Sequence, residues 1–420
     1  MTRGLSRRRL LGGSLALSPA LAAFAPIRNR LLESLEDLAE RSGVDRADYL
    51  LDDGLNYLNH ASIGTVPRVV HEAQVGYLRI CETNPWLHVW SRGFSEEFAA
   101  TRALAAEFLG VQERNVALTR GTTEIFNAFA QGVPLGDEDE VLWSEYNHAG
   151  ARVCWEHQAE VRGFSVREFA LPIEDVASLS VEDVVQAHVA ACSERTRVLV
   201  LPHIDNVIGI VHPIREIAEA VRRVGVKFVL VDGAQTVGAM PLDLDDLGCD
   251  GYATSSHKWV QSPKGLGLGY VSDSLLQVLR PMIVTWGKQR WAGTARSLED
   301  YGTRDYSTIL SLGDALRFSE SRGIEDSHLH LMQLQKTAFE FVDAEPSLRW
   351  MSPRRSGLRG TLWSVRRAEH ASPNLAEKLF EDHRIVVRGH RNEHDCVRFS
   401  PGYATTESEL LQALERLARA

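Results

Sequence analysis

The sequence predicts an α/β fold: a large unit on a mostly parallel sheet, followed by a smaller α+β unit. Three observations carry this reading. From Val116 to Val271, short Val-, Leu- and Ile-rich runs alternate with helical patterns, the mark of strands buried between helices on both faces. The stretch Pro281 to Tyr301 is loop-rich and breaks that rhythm, and a shorter mixed segment follows it. The chain has 420 residues, too many for one ordinary domain. Its 44% hydrophobic and 24% charged residues match a soluble globular protein able to bury a large core.

The elements follow in order. Arg30 to Gly43 reads as an amphipathic helix, and Tyr57 to Ala61 as a short strand entering a turn at Gly64 and Pro67. Arg68 to Cys81 and Glu96 to Leu109 read as helices, the second closed by Gly110. Strands are expected at Val116–Leu118, Val141–Leu142, Val198–Leu201, Phe228–Val231 and Gly267–Val271. Thr122 to Gln131 and Pro213 to Val224 read as helices between them. After the break come helices at Thr308–Ser321 and Ser327–Asp343, and strands near Thr361–Val365, Ile385–Val387 and Val397–Phe399. Glu407 to Ala418 closes the chain as a helix. The expected organisation is a leader over 1–25, a segment 26–65 packing with the small unit, a large unit over 66–305 and a small unit over 306–420.

The leader is Ser6-Arg7-Arg8-Arg9-Leu10-Leu11 followed by a weakly apolar run to Ala25. That run suits a signal segment and falls short of the ~20 residues that span a bilayer. Twin arginines before such a run are the address for twin-arginine export, so the expected location is the periplasm. Ala20-Leu21-Ala22 and Ala23-Phe24-Ala25 both offer small residues for cleavage, and Pro26 counts against the second. The rest of the chain has no spanning run. A net charge of −10 and the lack of basic blocks beyond the N-terminus exclude a general nucleic-acid binder. The five cysteines are irregularly spaced, with no C-x-x-C pair and no zinc pattern, and read as buried free thiols.

The chemistry lies in Val231-Asp232-Gly233-Ala234-Gln235 and, about 25 residues on, Ser255-Ser256-His257-Lys258-Trp259. A strand ending in Asp, then a His-Lys pair before a glycine-rich segment, points to pyridoxal phosphate (PLP) as cofactor. Asp232 and Lys258 stand where strands of such a sheet end, the usual place for a ligand.

These motifs, with Pro263-Lys264-Gly265-Leu266-Gly267, resemble the class V aminotransferases, PLP enzymes of fold type I. The resemblance runs from about Tyr57 to the C-terminus and is nearest to the isopenicillin N epimerase-like branch. It implies that Lys258 carries the cofactor and then moves the α-proton of the substrate. It implies that Asp232 holds the pyridinium nitrogen, and that Gln235 and Asn206 stand near the phenolic oxygen. Thr119-Arg120-Gly121-Thr122-Thr123 resembles the family phosphate cup at a helix N-terminus. Thr122, Thr123, Ser255 and His257 are then phosphate residues, and Thr303 reaches the phosphate of a second subunit, so a homodimer is expected. His148, in Glu145-Tyr146-Asn147-His148-Ala149, is favoured as the residue stacked on the cofactor ring, with Tyr146 the rival. Arg398 matches the arginine for the substrate α-carboxylate, which a planar guanidinium suits. Arg388 resembles a second such arginine, and Asn59 and His60 are expected on the substrate side.

The chain also departs from the desulfurase branch. Gly389-His390-Arg391-Asn392-Glu393-His394-Asp395 contains no cysteine where desulfurases carry one, and Cys396 comes later in a strand. Trp86, Trp90, Trp143 and Trp155 crowd the segments near the site, either shaping a pocket for a bulky substrate or, for at least half of them, packing in the core. The expected function is that of an exported PLP enzyme acting at the α-carbon of an amino acid or peptide-borne amino group. Aminotransferase or epimerase chemistry is implied, with siderophore or other secondary-metabolite maturation as a setting. A C–S lyase or desulfurase, or a non-catalytic binder on the same fold, are the competing expectations.

Overall fold

The computed structural model describes residues 23–41, 43–90, 92–171, 176–367, 372–390 and 395–420, without the side chains of 92–95 and 372. Most of the leader, and the stretch 391–394 after Arg388, lie outside the described residues.

Helix α1 (Ala25–Arg41) buries Ile27, Leu31, Leu35 and Leu38 along one stripe, the spacing of an amphipathic helix. It packs against α2 (Arg68–Thr83). Phe24, just before it, is 1% exposed. The fold therefore begins within the segment assigned to the leader. Between these helices, β1 (Asn56–Tyr57) runs beside Ile385 and Val386 near the far end of the chain.

The rest of the large unit is α3 (Arg92–Leu109), β2 (Val116–Thr119), α4 (Thr122–Gly132), β3 (Glu140–Ser144), α5 (Ala149–Arg162) and β4 (Ser165–Phe169). It continues with α6 (Val181–Ala191), β5 (Thr196–Pro202), α7 (Ile214–Arg223), β6 (Phe228–Asp232), β7 (Gly251–Ser255) and β8 (Gly267–Val271). The strands form one sheet in the order β2-β8-β7-β6-β5-β3-β4. Only β8 runs against the others, antiparallel to β2 and β7. Successive side chains of a strand point to opposite faces, and here both faces are apolar. Leu199, Leu201, Val229 and Val231 pack with α6 and α7. Val198, Val200 and Leu230 pack with Phe126, Phe129 and Trp155 of α4 and α5. Because six strands point the same way, β2, β3, β5, β6 and β7 all deliver their carboxyl ends to one edge.

Helix α8 (Tyr306–Arg322) lies with α1, α2 and α3, and α9 (Ile324–Ala344) follows it. Next come β9 (Leu348–Trp350), β10 (Trp363–Arg367), α10 (Ser372–His383), β11 (Ile385–Val386), β12 (Arg388–His390), β13 (Cys396–Phe399) and α11 (Glu407–Arg419). The second sheet is antiparallel throughout, in the order β12-β13-β10-β9. Its core stacks Trp350, Trp363 and Phe399 and takes in Leu58 from the N-terminal segment.

Candidate active site

The carboxyl edge of the large sheet gathers the predicted cofactor residues. Strand β2 ends at Thr119, and Gly121 turns the chain into α4. Ser255, at the end of β7, accepts the Thr122 backbone N–H at 3.0 Å, and its Oγ lies 2.9 Å from Thr122 Oγ1. Thr123 is exposed at the start of the helix, where backbone N–H groups and the helix dipole favour an anion. His257 Nδ1 is buried and has no partner among the described residues. Burial, with Lys258 and Lys264 nearby, holds the His257 imidazole down at about 4, so it is neutral.

His148 caps α5. Its Nδ1 accepts the Gly150 N–H at 3.0 Å, which puts the ring proton on Nε2. A side-chain carbon at Gly150 would come within 3.0 Å of His148 Nδ1 and 3.3 Å of Thr123 Oγ1. The missing side chain thus lets the ring and the cup meet. Tyr146, the rival, is 2% exposed and belongs to the core with Leu201 and Phe169. Burial and Lys258 hold the His148 imidazole below its ordinary value, against the pull of Asp232.

Asp232 ends β6. Its Oδ1 accepts the Ala234 N–H at 3.0 Å, and its second oxygen takes no hydrogen bond from the described residues. Burial raises the carboxyl, against the attraction of Lys258. Burial likewise pulls the Lys258 amine down to about 8, against Asp232 and with Arg398. A buried carboxylate without a hydrogen-bonded cation, beside a buried lysine and an anion cup, fits PLP: Asp232 toward the pyridinium, Lys258 toward the aldehyde, the cup toward the phosphate. Gln235 sits behind this group. Its Oε1 accepts from Trp259 Nε1 at 2.8 Å, and its Nε2 donates to the Ala61 carbonyl at 2.9 Å.

The second sheet and the N-terminal segment close the other side. Arg398 is 2% exposed. It donates to the Asn206 carbonyl at 2.6 Å, to Asn59 Oδ1 at 3.0 Å and to Ser62 Oγ at 2.7 Å, all neutral acceptors. Among the described residues no carboxylate forms an ion pair with it, and its Nε is buried without a partner. Burial and neighbouring Arg388 pull this guanidinium down to about 10. Arg388 lies opposite Arg398 across β12 and β13, is exposed, and acts electrostatically on His148 too.

One predicted residue turns inward. His60 is 3% exposed and faces inward, with Nε2 3.0 Å from Thr65 Oγ1 and its ring beside Trp259. Burial holds it neutral, down at about 3. It lines a small, partly open pocket with Tyr49 and Tyr403. Thr303, expected at the phosphate of a second subunit, is exposed on this chain. The tryptophans also separate: Trp143 and Trp155 are core residues, while Trp86 and Trp90 are 70% and 67% exposed.

Sequence reasoning missed three supports. Ser62 is a ligand of Arg398. Gly64 donates its N–H to the His257 carbonyl at 2.9 Å, and a side-chain carbon there would come 1.9 Å from the Lys258 carbonyl oxygen. Tyr403 Oη bonds the Trp259 carbonyl at 2.9 Å, bracing the segment after Lys258. The turn at Gly64 was the one signal available, since the other two contacts span 336 and 144 residues.

The family model for class V aminotransferases matches residues 56–413. An isopenicillin N epimerase from Amycolatopsis lactamdurans is 31% identical over 392 residues, 89% of this chain and 96% of that protein. A probable cysteine desulfurase from Halalkalibacterium halodurans is 28% identical over 324 residues, 72% of this chain and 76% of that protein. The solved complex of the cystine C–S lyase C-DES with its product, cysteine persulfide, superimposes with a TM-score of 0.78 at 25% identity, over 87% of this chain and 98% of that one. The two-sheet architecture is that of fold type I, and the chain belongs to the class V aminotransferase family of PLP-dependent enzymes.

Proposed function

We propose that this enzyme is exported and acts at the α-carbon of an amino acid, free or carried on a peptide. It moves the α-proton as an epimerase or aminotransferase does. The observation that carries this reading is Arg398: a buried guanidinium with only neutral partners, beside Arg388 and within electrostatic reach of Lys258. Asp205 attracts it without forming an ion pair, and a buried charge without a paired counter-ion is costly. An α-carboxylate supplies the missing anion, and a planar guanidinium binds it in two-pronged fashion.

Bound PLP supplies an electron sink for the electron pair left when a bond to the α-carbon breaks. Lys258, with its amine near 8, takes the α-proton as a neutral base and returns it as an ammonium. Asp232 keeps a negative charge facing the ring nitrogen. His148, neutral and fixed by Gly150, would cover one face of the ring. Arg398, Asn59 and Ser62 fix the carboxylate, and so decide which bond faces Lys258.

The epimerase relative supports proton transfer. The desulfurases and the C–S lyase favour a second reading, β-elimination of a sulfur-bearing substrate. Persulfide chemistry through this chain's own cysteine is disfavoured: Cys396 is fully buried and burial pushes its thiol up to about 11, whereas reactive cysteines are accessible thiolates. The presence of both Lys258 and Asp232 weighs against a non-catalytic binder. The twin-arginine motif supports a periplasmic location, and a setting in siderophore or other secondary-metabolite maturation. No helix among the described residues is long and apolar enough to cross a membrane. A homodimer is supported by the outward-facing Trp86, Trp90 and Trp286, the last 92% exposed, because indoles this exposed mark contact surfaces.

The test is to incubate the purified protein with amino acids and short peptides in D₂O, following cofactor absorbance and product mass together. Deuterium at the α-carbon with the amine retained is the expected result for epimerisation. An amine lost to the cofactor indicates amino transfer. Release of sulfide or a persulfide would favour the elimination reading. No spectral or mass change with any amine would reject the proposal.

A further inference from the structure

Between β5 and α7 the chain makes a hairpin, His203 to His212, that reaches from the large sheet to the second one. At its base the His203 N–H donates to the Asp232 carbonyl and the His212 N–H to the His203 carbonyl, both at 2.8 Å. Along its returning arm Val211 donates to the Leu358 carbonyl, and Gly360 donates to the Gly209 carbonyl, both at 3.0 Å. At its tip Ser364 Oγ donates to the Val207 carbonyl, and Arg398 donates to the Asn206 carbonyl at 2.6 Å. Ser364 and Arg398 stand opposite each other on β10 and β13. One short stretch of backbone thus ties Asp232 to Arg398. At its centre is Asp205, fully buried. Its Oδ1 accepts the Val207 N–H at 2.8 Å and the Ile208 N–H at 2.7 Å, and its Oδ2 accepts the Ile210 N–H. Such side-chain bonds to the following backbone close a turn. Gly209 completes it at a φ of +74°, where a side-chain carbon would come 2.1 Å from the Leu362 carbonyl oxygen. Burial raises the Asp205 carboxyl, and the N–H groups pull it back. Asp205 also attracts Arg398, but its oxygens are taken by the backbone and the two form no ion pair.

We propose that Asp205 is a positioning residue for substrate recognition: by folding the hairpin tip it holds the Asn206 carbonyl against Arg398 and sets that guanidinium to receive an α-carboxylate. This rests on the reading of Arg398 as the carboxylate residue. A guanidinium is planar, so a carbonyl held on Nη1 sets the direction of its remaining donors. A carboxylate at 205 serves both arms of the hairpin, with one oxygen for Val207 and Ile208 and the other for Ile210. An asparagine would keep the first oxygen and turn an amide N–H₂ toward the Ile210 N–H, which loses its acceptor and displaces the tip.

The experiment is an absorbance titration of the cofactor-loaded wild type, Asp205→Asn and Ser364→Ala with alanine and with ethylamine, which has no carboxylate. Asp205→Asn is expected to keep the cofactor band and its affinity for ethylamine, and to bind alanine about tenfold more weakly. Losing a charge that attracts the guanidinium would by itself tighten alanine, so weaker binding reports the displaced hairpin. Ser364→Ala keeps that charge and frees the hairpin at Val207, and is expected to weaken alanine alone by about 3- to 10-fold. Equal losses for both amines would make the hairpin a general structural support and overturn the proposal, as would unchanged or tighter alanine binding in Asp205→Asn. If Asp205→Asn does not fold, Ser364→Ala decides by the same selective loss or its absence. A wild type that binds alanine no better than ethylamine removes the Arg398 reading and this proposal together. A wild type that prefers alanine, with variants that keep the full preference, overturns this proposal alone.

Discussion

The cofactor side of the site is built mostly on one sheet, and the substrate side is assembled around an arginine with no ion-paired carboxylate. Around the cofactor, groups satisfy one another across the large sheet: Thr122 with Ser255, His148 with Gly150, Gln235 with Trp259. Each lies at a strand end or a helix start of one parallel sheet, so the scaffold alone sets their spacing. The substrate side is assembled from three distant segments around Arg398, whose contacts reach 192 residues to Asn206 and 339 to Asn59. Its two arginines face each other with no carboxylate ion-paired to either among the described residues. A preformed cradle suits a resident group, and a buried guanidinium with no ion-paired carboxylate suits a transient anion.

Substitutions that separate the two sides should behave differently. Lys258→Ala has the largest expected effect: loss of the visible cofactor band and a fall in turnover of about 10²–10⁴ or more, read by absorbance and product formation. Arg398→Leu should leave that band in place and weaken amino-acid binding by about 30-fold to a few thousand-fold, the scale of losing a buried charge partner at ~2–5 kcal/mol. If it instead abolished cofactor binding, the division between the two sides would fail. Uptake of PLP by the cofactor-free protein should rise about tenfold per pH unit up to about 8 and then level, because only the neutral Lys258 amine attacks the aldehyde. The sign follows from the direction: burial makes the ammonium form less favourable, so the reactive amine appears below the ordinary lysine range. A rate still climbing beyond pH 10 would place Lys258 in water. Ser255→Ala has the smallest expected effect, about 3- to 10-fold on cofactor affinity for one neutral hydrogen bond, with the KM for the amino acid unchanged.

The same contrast explains what the sequence made legible. Asp232, Thr122, Ser255 and Lys258 sit in short local motifs at strand ends, so reading those motifs places them without knowing any long-range contact. The buried strands were visible as Val–Leu runs. Edge strand β4 was not, because Ser165–Phe169 is mostly polar and half-exposed, and β7, Gly-Tyr-Ala-Thr-Ser, has no apolar run. His148 and Tyr146 stand two residues apart beyond β3, and only packing distinguishes their surroundings: Tyr146 fills the core and His148 remains at the edge. His60 follows Asn59 directly, yet it turns inward to Thr65 and Trp259, a choice set by residues far along the chain. Ser62 and Tyr403 left no local trace, since their roles exist only once the two sheets meet.

The central claim is that Arg398 selects substrates by their α-carboxylate while the cofactor side stays intact. Its most direct test is an absorbance titration of the cofactor-loaded protein with alanine and with ethylamine, which lacks the carboxylate. The wild type should bind alanine far more tightly than ethylamine. In Arg398→Leu that preference should vanish while ethylamine binding stays the same. A variant that keeps its preference for alanine would contradict the account.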